Sequence, residues 1–168
     1  MTSRRLWLRV LAGAGGAVAV LALLDVPPPA EPVPALPSLG FGVGCGTALF
    51  IALAGQTPPL PHLSDPGRTL MRLGLIGALA AAEEIIWRWL VLGALATATA
   101  PVVALAASTI GFAATHRHGR KSHLVTGATF GLVYLATGRL VACIAAHATY
   151  NIVLAETLVQ ARPREEPA

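Results

Sequence analysis

Four polar side chains that could carry out hydrolysis lie inside otherwise apolar runs of the sequence: Glu83, His116, His147 and Asn151. Hydrolysis of an amide bond needs a base that activates water and donors that stabilise the tetrahedral oxyanion. A glutamate can act as the base, and histidine and asparagine can act as donors. His147 and Asn151 are four residues apart, so they project from one face of a helix.

A second carboxylate, Glu84, directly follows Glu83 and precedes Arg88 by four residues. On a helix this order of a glutamate and an arginine is favourable, so we interpret the pair as structural support. Successive helical residues differ in direction by about 100°, so Glu83 can face another partner. The apolar runs around these residues are typical of membrane-spanning helices. In such a helix, each charge near the bilayer centre costs roughly 2.5–3.5 kcal/mol, whereas a hydrogen bond between two such helices contributes only about 0.6 kcal/mol. This balance favours a functional site over polar residues that only hold helices together.

Two histidines and a carboxylate also match the ligand set of an open zinc site. In that alternative Glu83, His116 and His147 would bind the metal, and Glu83 would be a ligand instead of a base. The sequence contains no H-E-x-x-H motif, which is the usual zinc-binding pattern of metalloproteases. From the residues alone, both alternatives stay open.

The other histidines and the two cysteines are predicted to have no catalytic role. His118 and His123 fall in a basic loop, and His62 lies between prolines, so all three are expected at the surface. Cys45 and Cys143 lie within apolar runs, where free cysteines usually behave as small buried hydrophobic residues. A disulfide or a metal pair is therefore not expected.

The elements that must position the polar groups are membrane-spanning helices. Hydrophobic residues make up 55% of the 168 residues and charged residues 12%, about half the charged share of soluble domains. The apolar runs cover residues 6–24, 39–54, 70–96, 101–116, 124–137 and 140–158. We predict one all-α integral membrane domain over residues 1–168, a polytopic bundle of six spans. The second and fifth runs are short against the roughly 20 residues that a span needs.

The distribution of basic residues predicts which side of the membrane each end occupies. With six spans, ten basic residues collect on the cytoplasmic side, and both termini lie there. Those ten are Arg4, Arg5, Arg9, Arg68, Arg72, Arg117, Arg120, Lys121, Arg162 and Arg164. The outside carries only Arg139. The prediction is a multi-pass protein of the inner membrane, and a cleavable signal peptide is the rival interpretation of the first run.

The segments between and after the spans are predicted to be irregular. Residues 25–38 contain six prolines and should form an extended external connector, and residues 56–67 form another loop. Residues 159–168 should form a disordered cytoplasmic tail. The basic residues form no stripe interleaved with aromatic residues, so nucleic acid is not a predicted partner.

The polar groups also form three motifs, E-E-x-x-x-R, F-x-x-x-H and H-x-x-x-N, which begin at Glu83, Phe112 and His147. In this order, on successive hydrophobic segments, they resemble the CPBP family. That family includes CAAX prenyl endopeptidases and bacteriocin-processing or self-immunity proteins, also called Abi proteins. The resemblance covers residues 70–158, which would form the catalytic core. The first two spans match nothing specific.

The resemblance implies an intramembrane glutamic endopeptidase. Glu83 would be the general base that activates water, helped by His116. His147 and Asn151 would polarise the scissile carbonyl and stabilise the oxyanion. The resemblance also favours a metal-free site without a cofactor, and zinc is the alternative.

Glu84 and Arg88 would brace this site, as the resemblance implies. The expected partners are the lipid bilayer and a membrane-associated protein or peptide substrate. Prenylated CAAX proteins, bacteriocin leader peptides and C-terminal sorting signals of a myxosortase-like subgroup all fit. The alternative function is a non-enzymatic membrane scaffold or a bacteriocin self-immunity protein.

Overall fold

The computed structural model describes residues 3–23, 33–60 and 65–161, and every regular element in these ranges is a helix. The elements are α1 (Ser3–Leu23), α2 (Ala35–Ala54), α3 (Pro66–Glu84), a π-helical segment (Ile85–Gly93), α4 (Ala94–Ala98), α5 (Pro101–Ala114), α6 (Arg120–Thr137) and α7 (Leu140–Gln160). Because α3, the π-helical segment and α4 are continuous, the described helices form six rods. The predicted all-α class is confirmed.

Helix α2 begins four residues before the apolar run that predicted it. Pro34 precedes the helix with φ −55° and ψ 146°, and the hydroxyl of Ser38 donates to the Pro34 carbonyl at 2.8 Å. Pro37, in the first turn of α2, is tolerated because the N–H groups there have no intrahelical partner. The prediction of extended backbone is therefore wrong for residues 35–38. The 20 residues of α2 also make it longer than expected.

Helices α3 and α6 also begin four residues before their apolar runs. The Asp65 side chain caps α3 by accepting from the Arg68 N–H at 3.1 Å, and Pro66 occupies the first turn. Gly119, at φ 69°, turns the chain into α6. The predicted loops are thus too long, by residues 66–67 in one case and 120–123 in the other. With 18 residues, α6 is not the short element that was expected.

The π-helical segment begins at Ile85, directly after the two adjacent glutamates. Helices of this type are rare and occur frequently at functional sites. The Ser108 hydroxyl of α5 donates to the Trp87 carbonyl in this segment at 2.7 Å. A Cβ at Gly111 would lie 2.5 Å from the Trp87 ring, so the absence of a side chain lets α5 pack here. The sequence analysis predicted an ordinary α-helix and missed this change.

Helices α2 and α7 run parallel and pack closely through glycines. A Cβ at Gly42 would lie 2.2 Å from the Ala142 carbonyl oxygen, and one at Gly46 would lie 2.3 Å from that of Ala146. The contacts advance in the same direction along both helices. Small residues four apart allow this kind of backbone approach between membrane helices.

Helices α2 and α7 are also the two described helices that are long and apolar enough to cross a membrane. Helix α5 is apolar but shorter. The six-span arrangement predicted above stays a prediction. His62, most of the proline-rich connector and most of the predicted tail lie outside the described residues.

Both cysteines are free thiols, and Cys143 is fully buried with its Sγ 3.4 Å from the Phe130 carbonyl oxygen. The expectation that they form no disulfide is confirmed. An ion pair that the sequence analysis did not anticipate joins the partly exposed Arg72 of α3 to the buried Glu156 of α7. It holds these helices together on the side of the bundle where α3 begins and α7 ends.

Candidate active site

Three side-chain atoms from different parts of the chain converge on one point. Glu83 Oε2 lies 3.8 Å from His147 Nε2 and 4.0 Å from His116 Nε2. Glu83 is near the end of α3, His116 follows the end of α5, and His147 lies within α7. The structure therefore brings together three of the four residues that the sequence analysis placed in the site.

The two histidines are held in the same way, each through Nδ1. His116 Nδ1 lies 2.8 Å from the Phe112 carbonyl oxygen, and His147 Nδ1 lies 2.7 Å from Glu84 Oε1. A carbonyl or a carboxylate oxygen only accepts, so Nδ1 carries a hydrogen in both contacts. The other ring nitrogen of each histidine, Nε2, faces Glu83. It offers a lone pair when the ring is neutral and a hydrogen when the ring is protonated.

Glu84 and Arg88 form an ion pair whose side chains are both fully buried. Arg88 Nε lies 3.1 Å from Glu84 Oε2, although its N–H is not aligned for a hydrogen bond. Arg88 Nη2 donates to the Gly127 carbonyl at 3.1 Å. The guanidinium also lies 5.1 Å from the Phe112 ring centre and 5.8 Å from that of Phe130, within cation–π range. The predicted pairing of Glu84 with Arg88 is confirmed.

Glu84 has a second contact that the sequence did not predict, because it accepts from the His147 ring. The two adjacent glutamates therefore lie at opposite nitrogens of one imidazole: Glu84 accepts from Nδ1 at 2.7 Å, and Glu83 lies 3.8 Å from Nε2. This contact makes Glu84 an orienting residue for His147 as well as the partner of Arg88.

Access to solvent separates the two glutamates. The side chain of Glu83 is 18% exposed and that of His116 is 17% exposed, whereas Glu84 is fully buried. A cavity of about 400 Å³ adjoins this side of the site and is lined by Thr115, His116, Arg117 and His118. The cavity reaches the site through His116, in the connection between α5 and α6.

Asn151 lies one helical turn beyond His147 and is half-buried. Within the described residues it makes no hydrogen bond to Glu83, His116 or His147. Its position on the same face of α7 follows from the spacing of four residues. Its role in stabilising an oxyanion stays a prediction.

The sequence analysis placed His123 at the surface in a loop, and that prediction is wrong. His123 lies in the first turn of α6, is half-buried, and stacks on His116 with ring centres 3.8 Å apart and planes at 26°. Seven residues further along α6, Phe130 stacks on His147 at 4.7 Å and 22°. His118 is exposed, as predicted. The early start of α6, which the sequence did not reveal, brings His123 into the site.

The spacing of Glu83, His116 and His147 differs from that of zinc ligands. Tetrahedral zinc holds its ligand atoms about 3.3 Å apart, because each lies about 2.0 Å from the metal. The distances from Glu83 Oε2 to the two Nε2 atoms, 3.8 and 4.0 Å, are wider than this. In the part of the chain that the structure describes, no group of three or more histidine, cysteine, aspartate or glutamate side chains is arranged to hold a metal ion. Without a rearrangement, the three residues do not fit a shared zinc ion.

Comparison with known proteins identifies one family. Residues 66–153 match the family model described as type II CAAX prenyl endopeptidase Rce1-like, and this region is more than half of the chain. It includes all three motifs and extends from α3 into α7. No curated protein and no solved structure matches the chain.

Proposed function

Because the chain belongs to the Rce1-like family of type II CAAX prenyl endopeptidases, we propose that it is an intramembrane glutamic endopeptidase. The family supports a CAAX-protease-type hydrolase that acts on a membrane-associated peptide. The observation that carries the finer proposal is the convergence of Glu83 Oε2 with His116 Nε2 and His147 Nε2. This arrangement offers one carboxylate base and two imidazole nitrogens to a single small molecule between them.

In the proposed reaction, Glu83 and His116 hold and activate the attacking water. A water molecule hydrogen-bonds at about 2.8 Å, so it can bridge atoms that lie 3.8–4.0 Å apart. Glu83 takes one proton as the water oxygen bonds to the scissile carbonyl carbon, and the carbonyl oxygen becomes an oxyanion. When this intermediate collapses, the carbon–nitrogen bond breaks, and the proton passes from Glu83 to the leaving amine.

His147 and Asn151 stabilise the oxyanion in this proposal. Because Glu84 accepts the hydrogen on Nδ1, His147 can donate from Nε2 only in its protonated form. The contact with Glu84 fixes the orientation of the ring. The amide N–H of Asn151, one turn along α7, would supply the second donor. Donors held in place before the reaction are the main means by which such sites lower a barrier.

The test of this function is cleavage of a prenylated peptide by purified protein. We expect the protein in detergent to cut a farnesylated CAAX peptide, and to keep its rate after treatment with a strong chelator. Zinc content should be well below one ion per chain, because the distances around Glu83 are too wide for tetrahedral zinc. Mass spectrometry of the products and metal analysis provide the measurements.

Two outcomes would contradict the proposal. Stoichiometric zinc that is lost together with activity would make Glu83, His116 and His147 metal ligands. Failure to cleave prenylated, unprenylated and leader-type peptides would favour the alternative, a scaffold or self-immunity protein in which the polar cluster only holds the helices together.

We also propose six spans in the inner membrane with both termini cytoplasmic. The parallel packing of α2 and α7 agrees with this order, because the second and sixth spans must run in the same direction. The active site would then open near the cytoplasmic surface, since His116 adjoins the basic residues Arg117 and Arg120. Reporter fusions after Arg120 should report cytoplasm, and fusions near Pro32 should report the opposite side. The same side for both would overturn this topology.

A further inference from the structure

One face of α6 contacts the functional side chains of three other elements. His123 stacks on the histidine that follows α5, the Gly127 carbonyl accepts from the arginine of the π-helical segment, and Phe130 stacks on the histidine of α7. These three residues are spaced by four and three positions, which places them in one row along the helix. Helix α6 contains none of the three motifs, yet its surface forms a wall of the whole site.

Among the site residues that contact this wall, His116 lies outside a helix. Helix α5 ends at Ala114, so His116 lies in the turn beyond the helix. Its Nδ1 donates to the Phe112 carbonyl at 2.8 Å and lies 3.4 Å from the Thr115 hydroxyl, so one edge of the ring is held by the neighbouring chain. The ring of His116 stacks on His123 at 3.8 Å and contacts the Phe112 ring at a wider angle, with ring centres 4.8 Å apart, so His123 supplies the parallel surface against which it lies. Together these contacts direct Nε2 towards Glu83.

We propose that His123 is a positioning residue of the active site. Its ring, carried on the first turn of α6, holds the imidazole of His116 in the plane that keeps Nε2 directed at Glu83. The stacking surface of the ring carries this role, so another flat aromatic side chain should replace it. The catalytic consequence rests on the function proposed above, whereas the orientation of His116 can be measured without any substrate.

The catalytic test compares replacements that keep or remove a ring at position 123. His123→Ala and His123→Asn should lower kcat roughly 2- to 10-fold, since an aromatic contact contributes about 0.5–1.5 kcal/mol. KM should be unchanged, because the ring does not touch the substrate. His123→Phe should stay within about twofold of the wild type, since it restores the stacking surface. Lys121→Ala, at an exposed residue of the same helical turn, is the matched control and should be fully active.

The second measurement follows His116 directly, by nitrogen NMR of histidine-labelled protein in detergent. In spectra recorded at a pH at which the histidine signals are those of neutral imidazole, the wild type and His123→Phe should show one tautomer at His116, with the hydrogen on Nδ1. His123→Ala and His123→Asn should show a mixture. This NMR signal tests the positioning role even if the protein cleaves no peptide. An absence of cleavage would contradict the proposed function and not the positioning role.

Two results would overturn the positioning role. One is a wild-type kcat and an unchanged His116 tautomer in both ring-free variants. The other is His123→Phe as impaired as His123→Ala, because the nitrogens of His123 and not its ring would then be required. His123→Asn keeps the test decisive if the alanine variant does not fold.

Discussion

Glu83→Gln is expected to abolish peptide cleavage while the Tm of the protein in detergent stays near the wild-type value. Glutamine keeps the size and the hydrogen-bonding capacity of the side chain but cannot accept a proton from water. Loss of a general base typically lowers a rate by about 10²–10⁴-fold, and loss of the group that activates the water can lower it further. Because Glu83 is partly exposed and Glu84 still faces His147, neutralisation of Glu83 leaves no isolated charge in the interior.

The experiment measures cleavage of one farnesylated peptide beside thermal unfolding of the same preparation. Glu84→Gln is the matched control, because it makes the same chemical change at the next residue of the same helix. Near-full activity in Glu83→Gln would refute the assignment of the base. If, in addition, Glu84→Gln lost all activity while its fold stayed intact, the base would be Glu84.

Glu84→Gln should lower stability and activity together. The Glu84 carboxylate is fully buried between Arg88 and His147, and its two oxygens serve one cation and one N–H donor. A glutamine has a single acceptor oxygen, so it can serve one of these partners, and its amide N–H would then face the other. Removing one member of a buried ion pair typically costs about 3–5 kcal/mol. The loss of orientation at His147 should lower kcat in whatever fraction stays folded.

A double variant separates the charge effect from the orientation effect. In Glu84→Gln with Arg88→Met, no buried cation is left without its carboxylate, so Tm should recover part of the loss. Activity should not recover with it, because His147 still lacks the carboxylate at Nδ1. An equal Tm for the single and double variants would show that the Glu84–Arg88 pair is not what stabilises this part of the bundle.

The composition of the chain made most of the site predictable. Glu83, His116 and His147 are polar residues inside apolar runs, and such positions are costly unless they form a site. The pairing of Glu84 with Arg88 was predictable because helix geometry alone places residues four apart on one face. The family match over residues 66–153 supports the resemblance that these motifs suggested.

What could not be predicted depends on how helices begin and how they approach each other. His123 appeared to lie in a loop, because hydrophobicity does not reveal that the left-handed turn at Gly119 starts α6 four residues early. The contact of Glu84 with His147 joins residues far apart in sequence and requires the packing of α3 on α7. No spacing rule describes such a pair. The π-helical segment likewise has no signal in the apolar pattern.

The close packing of α2 on α7 bears on how much of the chain the active site needs. The family match begins at residue 66, after α2 has ended, yet Gly42 and Gly46 pack against the backbone of α7 at Ala142 and Ala146. Ala146 is the immediate neighbour of His147. The matched region thus packs against a segment outside it: α2, which carries none of the motifs, covers one face of α7. Any chain that shares only the matched region must cover that surface of α7 with another small-residue helix or leave it to lipid.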